Sequence, residues 1–288
     1  MAPVAFPVAD RGVGETAVVG SAPDAVVDLF GLLTYLGDPV TLLVLVAAGY
    51  LLADHLGVST VRMAAAIGLA FGGVALTLAL KYAFALPRPP GAGVDGFGFP
   101  SGHAIGATVV YGGLVGLLRD QRLTRAAAVL IAVVAASRVI IGVHYLVDVM
   151  VGVAVGTVYL AVAFRFGPGW NADRVTPDAA GRTFALAVGV GAVALGVTVV
   201  FDTVVALAGA AGGWLGWRFA ADRVTAATGS TTRLVASVVV LPAVVAVAGT
   251  VIEGSLSLPL AAVLAGGIVA LLMAIPGLSA LRSAEATV

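Results

Sequence analysis

The sequence predicts an all-α membrane protein, a polytopic helical bundle with about nine transmembrane helices. Hydrophobic residues make up 60% of the chain and charged residues only 10%, and the mean hydropathy is +1.11. A soluble domain carries about 25% charged residues, so this chain has too little polar surface to face water all round. Its apolar residues also fall into separate segments close to the length of about 20 residues that a helix needs to cross a bilayer.

The beginning of the chain predicts a short irregular lead and then a helix that lies along the membrane surface. No basic region followed by an apolar core is found between Met1 and Glu15, so no cleavable signal peptide is expected. Pro23 and Asp24 favour a helix start, and apolar residues recur at helical spacing up to Leu36. Because this helix is short, we interpret it as interfacial. A tenth span is the alternative.

The nine transmembrane segments follow this helix, and several are at the lower limit of length for a span. They are predicted at residues 38–54, 61–85, 102–118, 123–141, 145–165, 182–201, 203–220, 232–252 and 256–276. Within them, glycines repeat in pairs at four-residue spacing, and such pairs allow helix backbones to approach closely in lipid. The pairs are Gly68 with Gly72, Gly112 with Gly116, Gly152 with Gly156, and Gly212 with Gly216.

The distribution of cations predicts the orientation in the membrane. With nine spans, eleven arginines fall on one side, whereas Arg11, Lys81, Arg88 and Arg138 fall on the other. Positive residues are retained on the cytoplasmic side of a membrane. We therefore expect the C-terminus in the cytoplasm, and we expect the side that carries Lys81 to face outward from the cell membrane.

Polar and charged residues gather at the predicted outer ends of the helices. Lys81 is the only lysine in the chain and closes the second span, and Arg88 follows in a proline-rich loop. Ser101 and Gly102 open the third span, and Arg138 ends the fourth. A cation at the edge of a hydrocarbon layer is costly, so these residues indicate a ligand of opposite charge. A helix N-terminus and the planar fork of an arginine both suit phosphate oxygens.

Two of the three histidines belong to the same set, and we expect them to have different roles. His144 and Asp148 are four residues apart at the head of the fifth span, so they share a helix face. A carboxylate behind an imidazole fixes its tautomer and raises its basicity, so His144 is predicted to attack phosphorus. His103, on the third span, remains as the general acid. No cofactor is expected, because the sequence lacks the outer carboxylate cluster that a magnesium site requires.

Three spaced motifs carry a family resemblance. They read K-(six residues)-R-P, P-S-G-H and S-R-(five)-H-(three)-D, and they begin at Lys81, Pro100 and Ser137. In this order they resemble the signature motifs of the type 2 phosphatidic acid phosphatase superfamily, over about residues 35–165. The resemblance implies metal-independent hydrolysis of phosphomonoesters or diphosphates through a phosphohistidine on His144. It also implies phosphate contacts from Lys81, Arg88, Ser101, Gly102 and Arg138.

The order of the spans indicates a branch within that superfamily. Lys81 closes the second span, four spans follow the motifs, and the segment from Thr34 to Asp38 precedes the first span. This layout is similar to that of the glucose-6-phosphatases and sphingosine-phosphate phosphatases. We predict three parts: a lead and interfacial helix (1–37), a catalytic core (38–165) and a C-terminal extension of four membrane helices (166–288).

The leading hypothesis is an outward-facing phosphatase that acts on a membrane lipid phosphate or an isoprenoid diphosphate. Vanadate is expected to inhibit it, because vanadate mimics trigonal-bipyramidal phosphorus. The alternatives are a phosphotransferase that uses an alcohol acceptor, a sugar-phosphate phosphatase, and a phosphate channel or carrier, which would need no nucleophile. The net charge is zero and gives no sign of a nucleic-acid partner, and none is expected. The oligomeric state stays open.

Overall fold

A computed structural model of the protein describes residues 11–14, 20–171, 175–224, 242 and 256–285, with side chains up to residue 275. Within these ranges every regular element is helical, which confirms the all-α prediction. The elements are α1 (Asp24–Leu33), a 3-10 helix (Thr34–Gly37), α2 (Pro39–Leu51), α3 (Thr60–Phe84), α4 (Gly102–Leu118), α5 (Gln121–Ile140), α6 (Leu146–Phe166), α7 (Pro177–Val197), α8 (Phe201–Val224) and α9 (Leu258–Glu285).

Six of the described helices are long and apolar enough to cross a membrane: α3, α5, α6, α7, α8 and the first part of α9. Helix α4 is apolar but shorter, with 17 residues. The segment from α1 through the 3-10 helix is bent by 48° against α2, and the two together would make a seventh span or a re-entrant loop. The predicted span at 232–252 lies outside the described residues. The membrane character is therefore supported, and the count of nine spans stays a prediction.

Helix α7 shows where the predicted boundaries are wrong. This span was predicted at 182–201, but the helix runs from Pro177 to Val197. The hydroxyl of Thr176 accepts a hydrogen bond from the backbone N–H of Ala179 at 3.2 Å, and proline occupies the first helical position. Both features favour a helix start. Hydropathy alone missed them, because the polar first turn of this helix lies before its apolar run.

Helix α3 lies at the centre of the bundle, and glycines allow its neighbours to approach. Of the apolar window of α3, 67% is buried. A Cβ on Gly68 would collide with Thr183 of α7, and one on Gly72 would collide with the hydroxyl of Tyr159 on α6. The other three glycine pairs face a neighbouring helix in the same way. The prediction that these pairs serve close helix packing is confirmed.

Helix α1 is short, and the chain after it lies at the end of the bundle where α5 ends. Thr34, directly after α1, accepts a hydrogen bond from Arg138 near the end of α5. With 10 residues, α1 is too short to cross a membrane by itself. This argues against the tenth span, and the interfacial position of α1 stays a prediction.

The antiparallel order of α3 to α6 brings the three motifs together. The last turns of α3 and α5 and the first turns of α4 and α6 meet at one end of the bundle, which we call the outer end after the predicted orientation. The opposite ends of the same helices carry arginines, among them Arg62, Arg119, Arg122 and Arg165. This separation agrees with the cation distribution on which the orientation was predicted. The orientation itself stays a prediction.

Candidate active site

The first motif lies where α3 ends and its proline-rich loop folds back over the helix. The ammonium of Lys81 donates a hydrogen bond to the carbonyl oxygen of Phe97 at 2.7 Å. Two edge-to-face aromatic contacts hold this loop against α3: Tyr82 with Phe97 at 5.5 Å between ring centroids, and Phe84 with Phe99 at 5.1 Å. Such pairs add to the stabilisation that burial provides. The loop therefore has a defined position relative to Lys81.

The second motif forms the first turn of α4, pressed against α6. Ser101 is fully buried, and its backbone N–H donates to the carbonyl oxygen of Asp148 at 3.0 Å. The absence of a side chain at Gly152 permits this approach, because a Cβ there would lie 2.8 Å from the Ser101 oxygen. A Cβ on Gly102 would lie 2.8 Å from Cγ2 of Thr77 on α3. The helix N-terminus is thus fixed between α3 and α6.

Arg138 connects the third motif to the start of the chain. Its side chain is 7% exposed, and its Nη1 donates to the hydroxyl of Thr34 at 2.7 Å. Its own carbonyl oxygen accepts hydrogen bonds from the backbone N–H groups of Val143 and His144, both at 3.2 Å. The turn that carries His144 is therefore attached directly to the residue that carries the guanidinium.

His144 lies between a carboxylate and a guanidinium. Its Nδ1 is 3.5 Å from Oδ2 of Asp148, at the long limit of a hydrogen bond, and its Nε2 is 3.3 Å from Nη1 of Arg88. A guanidinium can only donate, so this contact requires a lone pair on Nε2. The proton of a neutral ring then belongs on Nδ1, toward Asp148. This is the tautomer in which Nε2 carries no proton and keeps the lone pair that a nucleophile needs.

The surroundings of His144 keep its ring neutral. The pKa of His144 is lowered from 6.5 to about 4, chiefly by burial and also by the cations Arg88, Arg138 and Lys81, against the opposing hydrogen bond with Asp148. From the sequence, the carboxylate was expected to raise the basicity of this ring. In the folded protein burial outweighs that effect, because the charged form loses its solvation. Burial also lowers the pKa of Arg88, which nevertheless keeps its proton at physiological pH.

The eight predicted site residues and Arg11 lie together at the outer end of the bundle, and we call them the outer-end cluster. The cluster contains buried polar atoms that lack hydrogen-bond partners among the described residues. They are Oγ of Ser101, Nε of Arg138 and Nη1 of Arg11, and Nδ1 of His144 has only the long contact of 3.5 Å with Asp148. Buried polar groups are almost always paired, because an unpaired one costs desolvation without compensation. Three positive side chains and a helix N-terminus accompany them. Such an arrangement suits an anion that brings several oxygen atoms, such as a phosphate.

Comparison with known families assigns this part of the chain. Residues 59–172, from the first turn of α3 to beyond α6, match the family described as PAP2 superfamily. This segment belongs to the PAP2 superfamily. The resemblance noted in the sequence is thereby confirmed at the level of the superfamily, and the similarity to one branch of it stays a prediction. Neither the curated proteins nor the solved structures contain a match to the chain.

All eight residues predicted for the site lie inside the PAP2 segment, and the structure gathers them at its outer end. His103 follows Gly102 on the first turn of α4, partly buried and within electrostatic range of Arg138, His144 and Lys81. Membership in the PAP2 superfamily supports a phosphatase-type activity on phosphate esters. The individual roles of the eight residues stay predictions. Among the described residues, no group of three or more His, Asp or Glu side chains is placed to hold a metal ion.

Sequence reasoning missed Arg11, which lies outside the PAP2 segment. Its Nε donates to Oδ1 of Asp148 at 3.0 Å, its Nη2 donates to the carbonyl oxygen of Pro87 at 2.8 Å, and its side chain is 7% exposed. The rings of Tyr145 and Phe99 lie 5.0 and 5.8 Å from its guanidinium carbon. Asp148 therefore has two partners, Arg11 and His144. No spacing signal connects residues 137 positions apart, so only the folded chain brings them together.

Proposed function

We propose that this PAP2 protein is an integral membrane phosphatase that hydrolyses a lipid phosphate monoester or diphosphate at the outer face of the membrane. The reaction proceeds through a phosphohistidine on His144 and requires no metal ion. The observation that carries the proposal is the outer-end cluster: a neutral, carboxylate-backed imidazole surrounded by cations and by buried donors without partners. A carrier would need the cations but not the pair formed by His144 and Asp148, so this pair favours an enzyme.

Substrate binding uses the groups that surround His144. Lys81, Arg88 and Arg138 neutralise the phosphate oxygens, and the backbone N–H groups at the start of α4 donate to them. The hydroxyl of Ser101 has no other partner among the described residues and donates as well. These donors are fixed before the substrate arrives, so they stabilise the negative charge as it redistributes in the transition state.

The chemical step transfers the phosphoryl group from oxygen to nitrogen. The lone pair on Nε2 of His144 attacks phosphorus, and the bond between phosphorus and the leaving oxygen breaks with its electron pair remaining on that oxygen. His103 donates a proton to the leaving oxygen. Asp148 accepts the hydrogen bond from Nδ1 and stabilises the positive charge that develops on the ring.

A water molecule completes the cycle. His103, now without its proton, accepts one from the water as the water oxygen attacks phosphorus. The bond between phosphorus and Nε2 breaks, its electron pair returns to the ring, and inorganic phosphate leaves. The enzyme regains a neutral His144 and a protonated His103, so protons and charges balance over the two steps.

A lipid substrate fits the position of the site. The cluster lies at the ends of helices long enough to span a bilayer, where a lipid headgroup would be found. A soluble sugar phosphate could reach the same site from outside. An acceptor alcohol in place of water would make the same residues a phosphotransferase. These three reactions share the phosphohistidine. They differ in the substrate that forms it, a lipid or a sugar phosphate, or in the acceptor that removes the phosphate, water or an alcohol.

The deciding experiment is a phosphate-release panel with the purified protein in detergent. The substrates are a phosphatidic-acid-type lipid, an isoprenoid diphosphate, a long-chain-base phosphate and a sugar phosphate, each with and without a chelator and with and without vanadate. We expect release from lipid substrates, resistance to the chelator and inhibition by vanadate. Phosphate that appears on an added alcohol instead of in solution would indicate the phosphotransferase. A strict requirement for a metal ion would contradict the proposed mechanism.

A further inference from the structure

A cavity of about 390 Å³ lies between α2, α3, α8 and α9. Its described wall is apolar apart from Asp38 and Asp202 at the outer ends of α2 and α8. Three of its four helices lie outside the PAP2 segment: α2 before it, and α8 and α9 after it. Volumes of about 300–1,000 Å³ with a mostly apolar lining are typical of ligand sites.

A second cavity of about 90 Å³ lies between this one and the candidate active site. The two cavities share wall residues on α2 and α3, among them Leu43, Val74 and Leu78. On its other side the small cavity reaches Thr77 and Gly102. A Cβ on Gly102 would lie 3.5 Å from Cε of Lys81, so the small cavity ends beside the phosphate-binding residues.

The large cavity extends deep into the apolar part of the bundle. Along α3 it is lined from Leu78 down to Ile67, a separation of eleven residue steps or about 16 Å of helix. This is about half the thickness of the hydrocarbon layer. An extended hydrocarbon chain fits two adjacent apolar cavities of which the smaller one borders Gly102 in the candidate active site.

We propose that the large cavity holds the hydrocarbon chain of the lipid phosphate while its headgroup lies on the outer-end cluster. This inference rests on the proposed function and adds a binding site for the lipid chain and a role for the C-terminal helices. Hydrocarbon is as well solvated by lipid as by a protein wall, so the chain brings little binding energy of its own. Its effect is to fix the headgroup relative to His144, and orientation of this kind accelerates a reaction.

The test narrows the cavity at two depths and compares substrates that differ only in chain length. Val74→Phe narrows the region that both cavities share, and Ile268→Phe narrows the large cavity on α9. Val263→Phe is the matched control, because Val263 lies on the same helix but does not line the cavity, and its side chain is 70% exposed. Each variant is assayed for phosphate release from a short-chain and a long-chain alkyl phosphate, after its folding has been checked by thermal unfolding in detergent.

We expect both cavity variants to lower kcat/KM for the long-chain substrate by about tenfold or more, and to leave the short-chain substrate within about twofold of wild type. The control should change neither substrate. Ile268→Ala, which enlarges the cavity, should shift the preference toward bulkier chains. Equal effects on both chain lengths, or no effect on either, would overturn the chain-binding role. A membrane lipid that co-purifies in the cavity while chain-length preference stays unchanged would do the same.

The outcomes separate the two levels of the proposal. If the wild-type protein releases phosphate from the short-chain substrate and the cavity variants show no chain-length effect, the phosphatase assignment stands and the chain-binding site fails. If the wild-type protein releases phosphate from none of the substrates, the proposed function itself fails.

A different contact carries a second inference. Arg11 holds both carboxylate oxygens of Asp148, at 3.0 Å from Nε and 3.4 Å from Nη2, whereas Nδ1 of His144 is 3.5 Å from the same carboxylate. Its Nη2 also reaches Pro87, next to Arg88. One side chain from the N-terminal lead therefore fixes the carboxylate behind the imidazole and the loop in front of it.

We infer that Arg11 is a positioning residue for the pair formed by His144 and Asp148. It competes with His144 for the carboxylate and limits how far Asp148 favours the protonated ring. The other charged groups around His144 are Lys81 from α3, Arg88 from the loop and Arg138 from α5, and His103 faces it from α4. All of these remain when Arg11 is changed.

The test uses Arg11→Gln and Arg11→Lys with a short-chain phosphate ester. Arg11→Gln should lower kcat about tenfold and move the acid limb of the pH profile to higher pH, because the released carboxylate favours the protonated ring. Arg11→Lys should restore the acid limb toward its wild-type position. A loss of activity with an unchanged pH profile, and with no difference between the two variants, would leave Arg11 a purely structural residue and overturn the inference.

Discussion

The outer-end cluster and the contact between α8 and α9 use opposite kinds of packing. In the cluster, cationic side chains lie close together and several buried polar atoms lack partners. Between α8 and α9, Gly212 and Gly216 face the backbone oxygens of Gly266 and Ala270, and there is no room for a side chain at either glycine. The outer-end cluster concentrates charged side chains, whereas the contact between α8 and α9 depends on two positions that have no side chain.

This difference shows that the residues proposed for function and the residues that stabilise the fold lie in separate regions of the molecule. Burying like charges and unpaired donors opposes folding, so the cluster is maintained by helices that pack well elsewhere. In lipid, close backbone contact between small residues is one of the main sources of helix association. Changes in the cluster should therefore alter activity with little loss of stability, and changes at the glycine contact should do the reverse.

The largest expected effect is that of His144→Ala. The variant lacks the nucleophile, so turnover should fall about 10⁴-fold or more. Thermal unfolding in detergent should occur near the wild-type temperature, because a buried polar ring with a weak hydrogen bond is removed. Phosphate release is measured in parallel with unfolding. Undiminished hydrolysis by a folded variant would exclude His144 as the nucleophile.

Lys81→Ala should lower kcat/KM by about 10²–10³-fold, the range found when one preorganised charge or donor is removed from a transition-state site. Stability should be unchanged or higher, since Lys81 lies near two other cations. Arg165→Ala, at the opposite end of the bundle and exposed, serves as the control for loss of a positive charge. Equal rates for the two variants would remove Lys81 from the site.

Asp148→Asn should leave partial activity, with a loss of about 10²-fold. The carboxylate orients the ring and stabilises its positive charge, but it does not form a bond to phosphorus. The comparison is made with His144→Ala under the same assay. A loss as large as that of His144→Ala would mean that the tautomer of the ring depends entirely on Asp148.

Gly212→Val should have the opposite effect to the cluster variants: it should lower the stability of the protein and leave its catalytic rate unchanged. The added side chain would collide with the backbone of α9, and overpacking of this kind typically costs about 1–3 kcal/mol. Gly267→Val is the control, because a Cβ on Gly267 meets nothing within 4 Å. Thermal unfolding should separate the two variants, whereas their rates per folded molecule on a short-chain phosphate ester should match.

The smallest expected effect concerns pH. Because the pKa of His144 in the folded protein is about 4, below its ordinary value of 6.5, the ring should stay neutral at pH 5–6. The unfolded chain binds more protons in this interval, so stability should rise with pH between about 4 and 6.5. A histidine NMR titration in detergent measures the pKa, and Arg88→Gln should raise it because a neighbouring cation is removed. A wild-type value near 6.5 would mean that burial does not govern the ring.

The sequence predicted the residues of the cluster because their chemistry is unusual for a membrane segment. Lys81 and Arg138 at helix ends, and a histidine four residues before Asp148, stand out against an apolar background. The helices containing them were predicted to within a few residues for the same reason. Helix α7 was misplaced because Thr176 and Pro177 act through local backbone geometry, which hydropathy does not register.

The contacts from outside the motifs could not be predicted. Arg11 and Thr34 reach Asp148 and Arg138 across more than 100 residues of chain, and nothing in their local sequence marks them. The cavity between α2, α3, α8 and α9 has no residue signature either, since its wall consists of ordinary apolar side chains. It is a property of how four helices are placed relative to one another.

The sequence by itself determined that this chain is a helical membrane protein with cations, two histidines and a carboxylate at the ends of its helices, because composition and motif spacing act locally along each helix. Only the tertiary structure decided that His144 is held neutral, since that depends on how completely neighbouring helices exclude water from the ring. It also decided that Asp148 is shared between His144 and Arg11, because carboxylate pairing depends on distances between segments that lie far apart in the chain.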